Sequence, residues 1–165
     1  MVNTENPRAF PNPGHNHVGC LAQTLERAEA AFMAKGMRLT DLRRRVFEEI
    51  AGSHHAVGAY DVLARIGSKG TRLAPISVYR AIEALMEAGV VHRLESRNAY
   101  FACHATHAPE RQQLVLACGQ CGTVAEVSGD AVFEAISRLS AASSFAPRTM
   151  VVEVAGLCGH CARAR

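Results

Sequence analysis

The chain has 165 residues, of which 48% are apolar and 20% are charged, and its formal net charge is +3 at pH 7. This balance is typical of a soluble globular protein with one or two small domains, and it excludes an intrinsically disordered chain. No window approaches about 18 uninterrupted apolar residues, which excludes a membrane-spanning helix, and so small a net charge does not by itself indicate a nucleic-acid partner.

The first 18 residues predict a flexible arm, because they contain three prolines and several asparagines. They lack the apolar stretch of a secretory signal, so we expect a cytoplasmic protein whose cysteines are reduced. His15, His17 and the following Cys20 have metal-ligating side chains, although such residues near a terminus usually belong to a solvated tail.

The next segment predicts a winged helix-turn-helix domain over residues 19–97. Apolar residues recur at helical spacing in four places, at 21–35, 40–50, 59–67 and 76–88. Two short strands, 90–94 and 99–102, follow and are joined by a turn at 95–98. Helices followed by a β-hairpin are typical of domains that insert one helix into the major groove of DNA.

The fourth predicted helix has a polar side that fits a DNA groove. Ser77, Arg80 and Ala84 share that side at spacings of three and four residues, and an arginine there can bond the edge of a guanine. Arg93 and Arg97 would lie on the wing, near phosphates. The signal is weak alone, since most surface helices carry an arginine.

A second, smaller module is predicted after a hinge at 98–107. Residues 108–165 show a strand, strand, helix, strand pattern, at 113–117, 123–127, 130–142 and 148–155. The predicted fold class is therefore α+β, with the winged helix followed by a small α/β dimerisation domain. So short a module has a thin core, which a structural metal and a partner subunit would support. The formal charge differs between the modules, because 13 of the 18 basic residues and 10 of the 15 acidic residues precede Asn98.

Four of the six cysteines form two Cys-x-x-Cys pairs, Cys118 with Cys121 and Cys158 with Cys161. In a reducing compartment this pattern indicates a metal site rather than disulfides. Four thiolates form a closed tetrahedral zinc site, which is structural by default; a rubredoxin-like iron centre is the alternative that these ligands also permit.

A second metal site is predicted beside the hinge. The candidate ligands are His92, Cys103, His104, His107 and Glu126. If the hairpin pairs as predicted, His92 and Cys103 lie at the same end of the wing, and Glu126 could face them from a strand of the second module. One thiolate with imidazole and carboxylate ligands suits zinc and disfavours iron(II). The alternative is a set of unrelated polar residues near a hinge.

Several motifs resemble the ferric uptake regulator superfamily, and they run in the family's order over nearly the whole chain after residue 20. They are Met37-Arg-Leu-Thr, His54, Ala59-Tyr60-Asp61, Ser77-Val-Tyr-Arg80-Ala, Gly89-Val-Val-His92, Cys118-Gly-Gln-Cys121-Gly and Cys158-Gly-His-Cys161. The chain most resembles the zinc uptake regulator branch, because Cys103 follows the wing and Cys121-Gly-x-Val-x-Glu126 follows the first pair.

The resemblance implies a homodimeric repressor of zinc-uptake genes that binds palindromic operator DNA and two zinc ions per chain, one structural and one regulatory. It implies no enzymatic activity and no small-molecule substrate beyond the metal ion. It assigns base contacts to Tyr60 and Arg80, and the regulatory ion to His92, Cys103 and Glu126. The family's remaining histidine is replaced by Arg111, so His107 is the expected fourth ligand and His104 the alternative.

Other functions remain open at this stage. An iron, manganese or peroxide sensor of the same superfamily would share the fold. A thiol redox sensor would use Cys20 and Cys103, neither of which has a Cys-x-x-Cys partner. A zinc hydrolase or deaminase is disfavoured because the sequence lacks the His-Glu-x-x-His and His-x-Glu motifs of those enzymes.

Overall fold

A computed structural model describes residues 9–11, 17–103 and 113–164. The chain divides into two compact units, which we treat separately. The N-terminal unit lies within Pro11–His104, and the C-terminal unit combines Ala105–Arg165 with Met1–Phe10. Within the described ranges, no helix has both the length and the apolar character needed to cross a bilayer.

The N-terminal unit begins with four helices. They are α1 (His17–Ala34), α2 (Asp41–Ala51), α3 (Ala59–Ser68) and α4 (Pro75–Glu87). Two starts follow directly from the sequence: the Thr40 side chain accepts a hydrogen bond from the Arg43 N–H, and Pro75 occupies the first turn of α4, where its missing N–H costs nothing.

Helix α1 starts at His17, inside the segment predicted as an arm. Its inward side carries Thr24, Ala28 and Phe32, all buried. Its first turn is held by His17, whose Nε2 lies 3.1 Å from the carbonyl oxygen of Ala51 at the end of α2. This tertiary contact extends the helix beyond the apolar pattern that predicted it.

The wing is an antiparallel hairpin of β1 (Val91–Leu94) and β2 (Ala99–Ala102), with Val91 opposite Ala102. The chain reverses through a short 3-10 turn that ends at Asn98, whose φ of 47° is left-handed, a conformation that asparagine tolerates better than most residues. Val57 forms a further antiparallel bridge to Tyr100, which the sequence analysis did not predict.

The core of this unit is formed by the inward sides of all four helices together with the wing. Its largest fully buried side chains include Phe32, Phe47, Ile50, Ile82 and Leu85. Burying each contributes about 1.5–3 kcal/mol to folding. The helices and hairpin of the predicted winged helix are therefore held by one continuous apolar core.

The described part of the C-terminal unit contains a three-stranded sheet and a longer helix, α5 (Asp130–Ala142). The strands are β3 (Gln113–Cys118), β4 (Val124–Ser128) and β5 (Val152–Gly156), in the order β4-β3-β5; β3 is antiparallel to β4 and parallel to β5. Helix α5 connects β4 to β5 and buries Phe133. The Phe133 ring packs directly against the backbone of Gly129, where an added Cβ would lie 2.8 Å from the ring.

Two features of this unit differ from the predicted elements. Strand β5 starts at Val152 rather than at residue 148, because its pairing with β3 begins opposite Leu114. A short helix, α6 (Gly159–Arg163), encloses the last cysteine and was not predicted. The predicted fold class, α+β with helices first and a small sheet unit after them, is confirmed.

Candidate metal centre and nucleic-acid interface

The four paired cysteines lie together at one end of the C-terminal unit. Cys118 ends β3, and Cys121 follows in a tight turn in which Gly122 has a φ of 78° and its N–H donates to the Cys118 carbonyl. Cys158 precedes α6, and Cys161 lies within it. The parallel pairing of β3 with β5 brings the two pairs together, because Cys118 lies opposite Gly156.

The geometry of these sulfurs fits a tetrahedral zinc site. All four Sγ atoms lie within 4.8 Å of one another, and those of Cys121 and Cys158 are 3.8 Å apart. A tetrahedron with zinc–sulfur bonds of about 2.3 Å has edges of about 3.8 Å. The donor set is also chemically suitable, since zinc accepts four thiolates in a closed site.

The protein stabilises negative charge at the centre of this cluster. Backbone N–H groups of Cys121 and Cys158 lower the pKa of the Cys118 thiol to about 5, and the Cys158 nitrogen is 3.4 Å from the Cys118 sulfur. Burial raises the pKa of the Cys161 thiol to about 12. Phe10 packs against the three buried cysteines and shields them from solvent. A zinc ion would balance the charge that four thiolates concentrate here.

His92 and Cys103 meet at the base of the wing, within the N-terminal unit. His92 lies on β1, and Cys103 follows β2, where its N–H donates to the Val90 carbonyl at a distance of 3.0 Å. Val90 and Cys103 thus continue the register of the hairpin, and residues two apart on a strand point to the same side. The ligand atoms of His92 and Cys103 lie within 4.8 Å of each other.

The other predicted ligands of the second site belong to the C-terminal unit or lie outside the described residues. Glu126 is half-buried on β4 of the C-terminal unit, opposite Val115 of β3. His104 and His107 lie outside the described residues, as do Arg111 and His15.

The side of α4 that was predicted to face DNA is only partly open. Arg80 is exposed, Ser77 is half-buried, and Ala84 is buried with 6% exposure. Ala84 is buried on a helix that packs against α2, α3 and β1. Pro75, Ile76 and Arg80 are exposed in its N-terminal half, and this is the part of the helix that reads bases in helix-turn-helix proteins.

Tyr60 is an unusually exposed aromatic side chain of α3. It lies on the first turn of α3, with 67% of its surface exposed. Its ring meets that of Tyr79 on α4 edge to face, with centroids 6.3 Å apart. This contact orients a large side chain that the core does not use.

The two arginines of the wing are both exposed. Arg93 is held within the hairpin, because its Nη2 donates to Asn98 Oδ1 at 2.8 Å and its Nε lies 3.3 Å from Glu95 Oε2. Arg97 occupies the turn itself. Both therefore project from the tip region of the wing.

The sequence analysis missed one grouping. His54, in the turn after α2, lies close to His17 and Cys20, and the ligand atoms of all three are within 4.8 Å of one another. The spacing of His17 and Cys20, three residues apart at a helix start, was an available signal, since it places both on one face. Nothing in the sequence connected them to His54, which is 34 residues from Cys20.

Comparison with known proteins agrees with this architecture. The ferric uptake regulator family model matches residues 34–155. The zinc uptake regulation protein of Escherichia coli (strain K12) is 34% identical over 139 residues, which cover 84% of this chain and 81% of that protein.

Solved structures give the same relationship. A zinc uptake regulator complexed with zinc and DNA superposes with a TM-score of 0.77 at 31% identity, covering 91% of this chain and 97% of that one. The structure of holo XcZur superposes with a TM-score of 0.77 at 34% identity, covering 87% of this chain and 99% of that one. The resemblance inferred from the motifs is thus confirmed, and the chain belongs to the ferric uptake regulator family.

Proposed function

We propose that this protein is a zinc-responsive transcriptional repressor that binds palindromic operator DNA as a dimer and controls zinc-uptake genes. The observation that carries the proposal is the pairing of a thiol with an imidazole, Cys103 with His92, at the base of a winged helix. A soft thiolate ligand favours zinc over iron(II) or manganese, the metals of the alternative sensors. The similar regulator solved with zinc and DNA supports it.

The regulatory ion would be bound by His92, Cys103, Glu126 and His107, with His104 as the alternative to His107. This set provides two imidazoles, one thiolate and one carboxylate, all suitable for zinc. The second zinc, held by Cys118, Cys121, Cys158 and Cys161, would be structural, because four thiolates leave no open position for chemistry. The proposed role therefore requires no catalysis.

The switch would operate by differential binding. Because Glu126 belongs to the C-terminal unit and Cys103 to the N-terminal unit, the ion would have its full ligand set in only one arrangement of the two units. Zinc then favours that arrangement, and DNA binding follows if it is the arrangement that fits the operator. A preference of about 3 kcal/mol would change operator affinity about 150-fold.

Operator recognition would use the exposed end of α4 and the wing. Arg80, Ser77 and Tyr60 would contact bases, and Arg93 and Arg97 would contact phosphates. The exposure of Arg80 and Tyr60 supports this assignment, as does their place on adjacent helices. Arginine recognises guanine through two hydrogen bonds, whereas phosphate contacts orient the protein without reading sequence.

Dimerisation would bury the apolar surface of the C-terminal unit. Large apolar side chains are exposed there, including Val132, Leu139, Phe145, Val154 and Leu157. Strand β5 also lies at the edge of the described sheet, where a second strand can pair. A second copy of the chain would cover both features.

The function is tested by measuring operator affinity at fixed free zinc concentrations, with manganese and iron(II) in parallel. We expect zinc to strengthen binding and its chelation to release the DNA. An operator affinity that does not change with zinc, or that changes only with manganese or iron(II), would exclude the proposal.

Replacing Arg80 with alanine is expected to weaken operator binding by about 1–3 kcal/mol and to relax the preference at one base pair, because a bidentate contact is lost. Fluorescence anisotropy with operator and single-substitution duplexes measures both effects. Arg138→Ala, on the exposed surface of α5, makes the same charge change and should leave affinity unaltered. Equal losses in the two variants would argue against base recognition by Arg80.

A further inference from the structure

Three metal-ligating side chains converge within the N-terminal unit, and they share no residue with the cysteine cluster or with the pair at the base of the wing. His17 and Cys20 lie on the first turn of α1, and His54 lies in the turn that follows α2. The Cys20 sulfur is 4.0 Å from His54 Nε2, and the ligand atoms of all three residues lie within 4.8 Å of one another. All three side chains are half-buried, so an ion there would be partly shielded and still reachable from solvent.

The hydrogen bond of His17 prepares its ring for a metal. A carbonyl oxygen only accepts, so the contact of 3.1 Å between His17 Nε2 and the Ala51 carbonyl places the proton on Nε2. In the neutral ring, Nδ1 then carries the lone pair. Metal-binding histidines commonly donate their other ring N–H to a backbone carbonyl in this way, which fixes both the tautomer and the orientation.

The surrounding structure holds the ligands in place. The Thr24 hydroxyl donates to the Cys20 carbonyl at 2.7 Å, and Thr24 is itself buried in the next turn of α1. The His17 and His54 rings are 5.0 Å apart with planes at 69°. The first turn of α1 and the end of α2 are thus anchored to one another before any ion binds.

We propose that His17, Cys20 and His54 bind a third zinc ion. One thiolate and two imidazoles form a set that zinc prefers over magnesium, calcium or manganese. Ideal zinc bonds place sulfur and nitrogen about 3.6 Å apart, so a small side-chain rotation closes the observed separation. Three protein ligands leave the fourth position to water.

Zinc at this position would join the start of α1 to the turn that leads into α3, the helix that carries Tyr60. An ion that binds only the folded state stabilises it by an amount that grows with the logarithm of the free ion concentration above the dissociation constant. The site would therefore couple zinc availability to the stability of the N-terminal unit, independently of the proposed regulatory ligands.

The test compares zinc content of the full-length chain and three variants, Cys20→Ser, His54→Ala and His55→Ala, after equilibration with excess zinc and removal of free metal. We expect the first two to lose about one zinc per chain relative to wild type. His55→Ala removes an adjacent histidine outside the cluster and should keep the wild-type content. Wild-type zinc content in both Cys20→Ser and His54→Ala would overturn the proposal.

A second measurement tests the site in the wild-type protein, so it does not depend on how well the variants fold. Alkylation of Cys20 in the native protein, followed by mass spectrometry, should be slowed by zinc in wild type and in His55→Ala but not in His54→Ala. Equal rates with and without zinc in wild type would also overturn the site. Neither readout involves operator DNA, so failure here is distinct from failure of the proposed repressor function.

Discussion

Cys158→Ser is expected to unfold the C-terminal unit. Cys158 is central to the cysteine cluster: its sulfur lies 3.8 Å from that of Cys121, and its N–H faces the Cys118 sulfur. Serine cannot replace the thiolate as a zinc ligand, and the buried thiols that remain would lose the ion that balances them. Structural zinc contributes about 10–16 kcal/mol of apparent binding free energy in small zinc domains, which is as large as the total stability of a typical domain, about 5–15 kcal/mol.

The unit has little else to replace that contribution. Among the residues of this unit that the structure describes, the buried apolar ones outside the cysteines are Val115, Ala117, Val124, Ala125 and Phe133, of which only Phe133 is large. A core this small supplies a few kcal/mol at most. We therefore expect loss of the dimer along with loss of zinc.

Zinc content, circular dichroism and limited proteolysis measure the effect. Cys103→Ser is the matched control for folding, because it makes the same chemical change at a half-buried cysteine outside this cluster. It should lose only the proposed regulatory zinc and keep the dichroism and protease resistance of wild type. If Cys158→Ser kept one tightly held zinc in the C-terminal unit and the melting temperature of wild type, the cluster would not be a structural zinc site.

Cys103→Ser is expected to abolish the zinc response while preserving the fold. The backbone N–H of Cys103, not its side chain, bonds to Val90 and continues the hairpin, so serine leaves the wing paired. Loss of the thiolate removes the softest ligand of the proposed regulatory site. The full zinc effect on operator affinity, about 150-fold for a coupling of about 3 kcal/mol, should disappear.

Operator titrations at high and low free zinc measure this response directly. Glu126→Gln should reduce the zinc effect in the same direction, whereas Glu134→Gln, on the exposed surface of α5, should keep it. A Cys103→Ser protein that still gained operator affinity with zinc would remove Cys103 from the regulatory site. A Cys103→Ser protein that unfolded would make its role structural instead.

Local patterns predicted much of this fold because local chemistry determines it. The Thr40 cap, the apolar stripe of α2 and the turn ending at Asn98 are encoded by neighbouring residues. The metal cluster was predicted in the same way, because each Cys-x-x-Cys pair is a local sequence motif. Two such pairs together supply the four thiolates of one zinc site.

Features that depend on distant partners were the ones missed. Strand β5 starts where β3 offers a partner at Leu114, and Val57 forms a bridge only because Tyr100 lies beside it. The early start of α1 follows from the contact of His17 with Ala51. The convergence of Cys20 with His54 has the same origin, because it depends on how α1 packs against α2.

Zinc affinity of the proposed regulatory site, measured with and without operator DNA, tests the zinc switch most directly. Linkage requires that operator DNA raise zinc affinity by the same factor by which zinc raises operator affinity. A competition titration with a chelator of known affinity gives the zinc affinity of the wild-type dimer with and without operator DNA. The same titration on Cys103→Ser identifies the zinc site that responds to DNA. We predict equal factors, on the order of 100-fold, that vanish in Cys103→Ser. Zinc affinity unchanged by operator DNA would contradict a zinc-driven switch.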